Sequence, residues 1–241
     1  MNLKVIGTGA ISSKEKSACS LIDGKILIDC GNGTVKTLLQ QNVDVDKIEV
    51  LLITHLHADH FFDLPFLILQ KYFSCKTKKF YIFCPVGTEK AVREMTVNFL
   101  FSDWDTLLNK TNTKFFEFEK LDNQEICEGY FATSYEVSHG DFYPAFGFVV
   151  KNNHRAIGFS GDSSICENIE KIVKISNISV LDMSSLKGDK SHMGIDNIKA
   201  LSKKYNKKIV PTHMRTESRE YATTNIIDNI LLLNDGDEIN I

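Results

Sequence analysis

Apolar and polar positions alternate with two different periods along the chain, and the changes of period predict its elements. LKVIG (Leu3–Gly7) reads as a short strand. CSLIDGKILIDCG reads as two strands joined at Asp23-Gly24, a hairpin signal. GTVKTLLQQN reads as a helix, and IEVLLIT (Ile48–Thr54) as a buried strand. DLPFLILQKYF follows as a helix with Pro65 tolerated near its start. KFYIFCP is a strand, and TEKAVREMTVNFL a helix.

The second half has the same style. YFATSYEVSH is a strand ending at His139, and FGFVVKNNHRAIGFSGD a hairpin turning at Asn152-Asn153 and ending at Asp162. SVLDMS and KIVPTHM are strands, the latter ending at His213, with the helix IDNIKALSKKY between them. A last helix is expected over TNIIDNILLL (Thr224–Leu233). Mixed strands and helices in both halves predict sheets covered by helices, an α/β or layered architecture. No fixed-period repeat or low-complexity linker interrupts the 241 residues, so one domain over 1–241 is expected.

Composition narrows the class. With 43% hydrophobic and 24% charged residues, the chain matches an ordinary soluble globular protein. A net charge of −3 weighs against a general nucleic-acid binder. None of Cys19, Cys30, Cys75, Cys84, Cys127 and Cys166 forms a C-x-x-C pair. Buried free thiols in a reducing cytoplasm are the expected reading. The N-terminal apolar run is too short for a secretory signal, and nothing approaches the ~20 apolar residues of a membrane span.

The chemistry concentrates at ITHLHADHFFDLP, where His55, His57, Asp59 and His60 fall within six positions directly after a strand. His139, Asp162 and His213 also lie at predicted strand ends, where sites gather in layered folds. Imidazole and carboxylate suit a borderline divalent ion such as zinc, with manganese or iron as alternatives. Seven donors exceed a tetrahedral shell but suit two ions sharing one carboxylate. Of the seven histidines, five fall in this set. His192 lies in a separate glycine-containing loop, and His154 reads as an exposed turn residue.

H-L-H-A-D-H, VSHG, FSGDSS and VPTHM together resemble the metallo-β-lactamase fold hydrolases over nearly the whole chain. The resemblance implies an α+β fold, an αββα sandwich of two face-to-face mixed sheets flanked by helices. It implies one ion at His55, His57 and His139, a second at Asp59, His60 and His213, and Asp162 bridging them. THLHADHFFDLPFL, GFSGDSS and the run from His192 to VPTHM are nearest to ribonuclease Z-like and small cyclic-phosphodiesterase members. That resemblance implies a catalytic, metal-free histidine at His192.

Two features depart from tRNA-processing ribonuclease Z. Only 23 positions separate His139 from Asp162 (162 − 139), with room for a hairpin but no substrate-binding arm. LDMSS stands where those enzymes carry a His-Glu pair, which leaves the relation of Asp182 to His192 open. The expected function is therefore a metal-dependent phosphodiesterase acting through an activated hydroxide on a nucleotide, an RNA end or a small cyclic phosphate. Small or single-stranded substrates are favoured over folded tRNA. Asp59 is expected both to bind the second ion and to orient the water, and His192 to protonate the leaving oxygen or stabilise the phosphoryl oxygens.

The rivals are a lactonase or thioesterase on the same fold, and a non-catalytic metal-binding protein. Lys187, Lys190, Arg215 and Arg219 flank the site and read first as solvated loop charges, although they could hold phosphate. Phe142 and Tyr143 are rim candidates, whereas Phe61 and Phe62 are expected in the core. NFLFSDWDTLL, with Trp104, is left as a lid, a contact in a possible homodimer, or a core helix.

Overall fold

Strands whose side chains are buried on both faces need two covering layers, and this chain supplies them. The computed structural model of the protein describes residues 1–74, 78–225 and 227–241. The thiol expectation for Cys75 and the residue Ile226 of the expected last helix lie outside the described residues.

The first sheet contains β1 (Asn2–Gly7), β2 (Cys19–Ile22), β3 (Ile26–Ile28), β4 (Val50–Leu52), β5 (Phe80–Pro85), β6 (Thr113–Phe118) and β13 (Glu238–Asn240), in the order β13-β1-β2-β3-β4-β5-β6. The second contains β7 (Gln124–Cys127), β8 (Tyr130–Glu136), β9 (Phe146–Lys151), β10 (Ala156–Phe159), β11 (Ile178–Asp182) and β12 (Lys208–Thr212), in the order β12-β11-β10-β9-β8-β7. Both are mixed: β3 to β6 run parallel, as do β10 to β12, and their other neighbours are antiparallel.

Alternation within each strand builds three cores. Ile26, Ile28, Val50 and Leu52 face Phe148, Val150, Ile157 and Val180 between the sheets. Leu27, Leu51 and Ile82 point outward, onto α1 (Thr34–Gln40), α3 (Leu64–Ser74), α4 (Thr88–Phe99) and α5 (Trp104–Thr111). Val149, Leu181 and Ile209 cover the far face under α6 (Glu167–Ile175) and α7 (Ile195–Tyr205). The arrangement is the αββα sandwich. No helix among the described residues is long and apolar enough to cross a membrane.

The Asp23-Gly24 hairpin takes positive φ at both central residues (48° and 68°), as a tight primed turn requires. Trp104 is buried at the start of α5, so NFLFSDWDTLL contains a core helix. Phe61 is buried as expected, but Phe62 is 45% exposed. Its neighbour already fills the core side of the short α2 (Ala58–Phe61), so Phe62 turns outward.

The C-terminal helix occurs earlier than expected, as α8 (Thr216–Thr224). The apolar run after it instead follows the free edge of β12, where Ile209 donates to Asn229 and Leu231 donates to Ile209. Ile230 and Leu232 join the core under α7, while Leu231 and Leu233 join the inter-sheet core. Packing against a core on alternate faces makes the run uniformly apolar, which is why it mimics a buried helix.

Gly31 shows how the fold holds the histidine segment. A Cβ there would lie 1.7 Å from the Asp59 carbonyl oxygen, so only glycine permits the turn after β3 to pass this closely beneath α2. Cys30 N donates to the His60 carbonyl at 2.7 Å, and Asp63 N donates to the Cys30 carbonyl at 3.0 Å. Gly31→Ala is expected to destabilise the fold by about 1–3 kcal/mol, the usual range for overpacking. It should also lower metal content, because the side chain displaces Asp59. A denaturation midpoint and ion content equal to wild type would contradict this.

Candidate dinuclear metal site

Exits from both sheets converge on one edge of the sandwich. His55 lies three residues past β4, His139 three past β8, Asp162 three past β10 and His213 one past β12. Asp59 and His60 lie on α2, whose N-cap is His57. His213 turns at φ 51°, a left-handed conformation uncommon outside glycine, and this redirects its side chain from the strand's alternation.

The seven sequence-predicted residues form two adjoining clusters. The donor atoms of His55, His57, His139 and Asp162 lie within 4.8 Å of one another, as do those of Asp59, His60 and His213. His55 Nε2 and His139 Nε2 are each 3.1 Å from His57 Nδ1. Asp162 Oδ2 is 3.8 Å from both of those Nε2 atoms. In the other direction, its Oδ1 is 3.4 Å from His60 Nε2 and its Oδ2 is 3.3 Å from His213 Nε2. Asp59 Oδ2 is 3.2 Å from His213 Nε2 and 3.8 Å from His60 Nε2. Donors about 2.1 Å from a tetrahedral ion stand about 3.4 Å apart, so these are the edges expected of coordination shells.

The hydrogen bonds settle which nitrogens carry protons. Asp29 Oδ1 accepts from Thr54 N, and its Oδ2 accepts from Thr54 Oγ1 and His60 Nδ1, each at 2.8 Å. The single Thr54 hydroxyl proton therefore goes to Asp29. Towards His55 Nδ1, 3.0 Å away, the hydroxyl can only accept. His55 and His60 thus both carry their proton on Nδ1 and present a bare Nε2. His139 Nδ1 donates to the Ser191 carbonyl at 2.9 Å, which frees its Nε2 as well.

The charge state of His55 agrees with this assignment. Burial, then the charge of His60, holds His55 well below the ordinary imidazole range. Burial and His139 lower His57. The buried atoms His60 Nε2 and Asp162 Oδ1 have no hydrogen-bond partner. Unprotonated nitrogens converging on unpaired carboxylate oxygens fit divalent cations. His60 differs, because Asp162 and Asp29 overcome its burial and raise its proton affinity well above the usual value. A proton and a cation therefore compete for its Nε2.

His192 stands beside this set. Its Nδ1 donates to Asp182 Oδ2 at 2.8 Å, and its ring stacks on His213 with centroids 5.2 Å apart. Gly194, not His192, is the N-cap of α7. Asp182 is fully buried; its carboxylate also accepts from Ser163 N at 3.0 Å and Ser184 N at 2.8 Å. Burial opposes a charge on His192, yet the Asp182 carboxylate holds its affinity for a proton above the ordinary value.

An open groove of about 640 Å³ lies over the clusters, lined by Ala10, Ile11, Ser12, Asp59, His192 and Arg215, among others. Phe142 packs on His57, ring centroids 3.9 Å apart, and Tyr143 is 73% exposed; neither lines this groove. His154 is exposed in its turn and takes no part.

Sequence reasoning did not single out Asp29. The available signal was an acid at a strand exit, LIDCG, in a strand too apolar to host it without a partner. Asp29→Ala is expected to weaken metal binding about 10- to 100-fold, the usual cost of losing a carboxylate behind a ligating histidine. Titrating the purified variant with zinc and a competing chelator measures this; an unchanged affinity would remove Asp29 from the role.

The family model described as "Anti-Pycsar protein Apyc1" matches residues 1–234. Ribonuclease Z of Enterococcus faecalis is 37% identical over 101 residues, covering 39% of this chain and 32% of the relative. The match thus spans about a third of that relative's length. The short form of human tRNase Z superposes with a TM-score of 0.74 at 22% identity, covering 100% of this chain and 99% of that one. The metallo-β-lactamase fold protein YhfI of Bacillus subtilis gives a TM-score of 0.75 at 16% identity, covering 99% and 98%. The fold is the metallo-β-lactamase fold.

Proposed function

Because the chain belongs to the Anti-Pycsar protein Apyc1 family, whose model spans nearly all of it, we propose that it is a dinuclear metal-dependent phosphodiesterase built as one domain over residues 1–241. The observation that carries the reading is the double cluster around Asp162, with the Asp182–His192 pair beside it under one groove. His55, His57 and His139 would hold one ion and Asp59, His60 and His213 the other, with Asp162 shared. The donor set favours zinc, with manganese or iron(II) as the alternatives that metal analysis distinguishes. Ions at those positions would lower the pKa of a bound water to about 7 and offset negative charge on a phosphoryl group.

The chain's own residues supply the rest. Asp59, at the groove floor, accepts a hydrogen bond from the attacking water and aims it. His192 donates a proton to the leaving oxygen, its other nitrogen fixed by Asp182. The groove volume suits a nucleotide-sized ligand. Residues 140–161 form a short loop and the β9–β10 hairpin, with no long arm to grip a folded RNA. These features favour a small cyclic phosphate, a nucleotide or an RNA end.

The test is a panel of cyclic mononucleotides, cyclic dinucleotides, short RNAs, a lactone and a thioester, with ion content measured in parallel. Turnover of a phosphodiester alone supports the reading. Turnover of only the lactone or thioester overturns it, and fewer than one ion per chain after zinc-replete expression favours a non-catalytic role.

Free thiols at Cys19, Cys30 and Cys84, all buried, support a cytoplasmic setting. Phe66 and Phe73 on α3 and Phe99 on α4 are exposed and support a homodimer, which sedimentation tests directly.

A further inference from the structure

Four cations flank the groove in sequence, and the fold gives them different employment. Lys190 Nζ is 2.7 Å from Asp141 Oδ2. Arg219 spends its guanidinium on the Leu233 carbonyl and Asn234 Oδ1. Lys187 is exposed and does not line the groove. Arg215 does line it, together with Asp59, His192 and His213. Its guanidinium has no hydrogen bond or ion pair among the described residues. Asp189 feels its charge at longer range, but turns Oδ1 to the amides of Ser191 and His192.

The backbone that carries Arg215 is held firmly. Met214 is fully buried; its amide donates to the Thr8 carbonyl at 2.9 Å, and its carbonyl accepts from Ala10 N at 3.1 Å. Arg215 N donates to the Ser184 carbonyl at 3.3 Å, which also accepts from Ser218 Oγ at 2.9 Å. A fixed base with an exposed, unpaired guanidinium suits a ligand contact better than a structural one. The guanidinium fork also matches two oxygens of a phosphoryl group. A bare cation beside a centre built for cations is self-repulsive, and an anion between them removes that repulsion.

We propose that Arg215 is the groove's phosphoryl clamp: it binds a non-bridging oxygen of the substrate and sets a preference for anionic phosphodiesters over neutral esters. The inference rests on the phosphodiesterase reading. Losing one charge-assisted contact of this kind weakens binding by about 10- to 100-fold.

The experiment compares wild-type holoenzyme with Arg215→Ala, Arg215→Lys and the control Lys187→Ala. Calorimetric binding of inorganic phosphate and of a nucleoside monophosphate is read beside ion content and kinetics on bis(p-nitrophenyl) phosphate and p-nitrophenyl acetate. Arg215→Ala should keep two ions per chain, bind both phosphate probes about 10- to 100-fold more weakly, and raise KM for the phosphodiester more than it lowers kcat. Arg215→Lys should recover part of the loss, while Lys187→Ala and the rate on the acetate ester stay at wild-type level. Phosphate binding by Arg215→Ala at wild-type strength overturns the clamp, as does a loss that only accompanies loss of ions. A wild-type enzyme that cleaves no phosphodiester overturns the phosphodiesterase reading instead, and the phosphate-binding arm still judges Arg215.

Discussion

Asp162→Ala is expected to abolish hydrolysis, a loss well beyond the 10- to 100-fold typical of residues behind the ligands. Its two oxygens lie 3.3–3.8 Å from nitrogens of His55, His139, His60 and His213, so one side chain borders both clusters. Burial by itself would favour the neutral acid, but the charges of His213 and His60 hold the Asp162 carboxyl well below its ordinary value. It is therefore an anion at every working pH, and alanine removes that charge from between two groups of nitrogens. His60 then loses one of the two carboxylates that favour its charged form, leaving Asp29. Plasma emission on the dialysed variant should find fewer than two ions per chain, against two in wild type. Retention of both ions with undiminished turnover would sink the bridging assignment.

The local part of this site was legible because it is contiguous. Four donors in six residues, directly after an apolar strand, state their chemistry without the fold. His139, Asp162 and His213 were legible for a different reason: each follows a run with strand alternation, and strand exits share an edge. What escaped was settled across the sheets. Nothing in LIDCG says that Asp29 reaches Thr54 and His60, because that contact exists only once the turn after β3 passes under α2. The inward nitrogen of His57 is Nδ1 where its partners use Nε2. Asp182 was visible but unassigned, since its bond to His192 spans a loop without regular periodicity. The misplaced last helix has the same origin, since a strand-like segment packed against a core on each face has no polar side to reveal its period.

His192→Ala should lower kcat for phosphodiester cleavage by about 10²- to 10⁴-fold, the usual contribution of a positioned general acid. Ion content should stay at the wild-type level, because His192 Nδ1 is committed to Asp182 and its ring lies beside, not among, the seven proposed ligands. The pH profile separates this role from a structural one. A general acid must be protonated, so the rate falls as pH rises through the His192 pKa. Burial pulls that pKa down, but the Asp182 carboxylate more than compensates and leaves it above the ordinary imidazole value. Asp182→Asn removes the compensating charge and keeps the burial, so the alkaline limb should move to lower pH. Asp182 carries a second burden, since burial followed by the charge of Asp162 raises its own pKa. Across 2.8 Å the two groups interact strongly, so the alkaline limb belongs to the pair rather than to either residue alone. An alkaline limb unmoved in Asp182→Asn, with two ions still bound, would assign that limb to another group and leave the dyad a packing role.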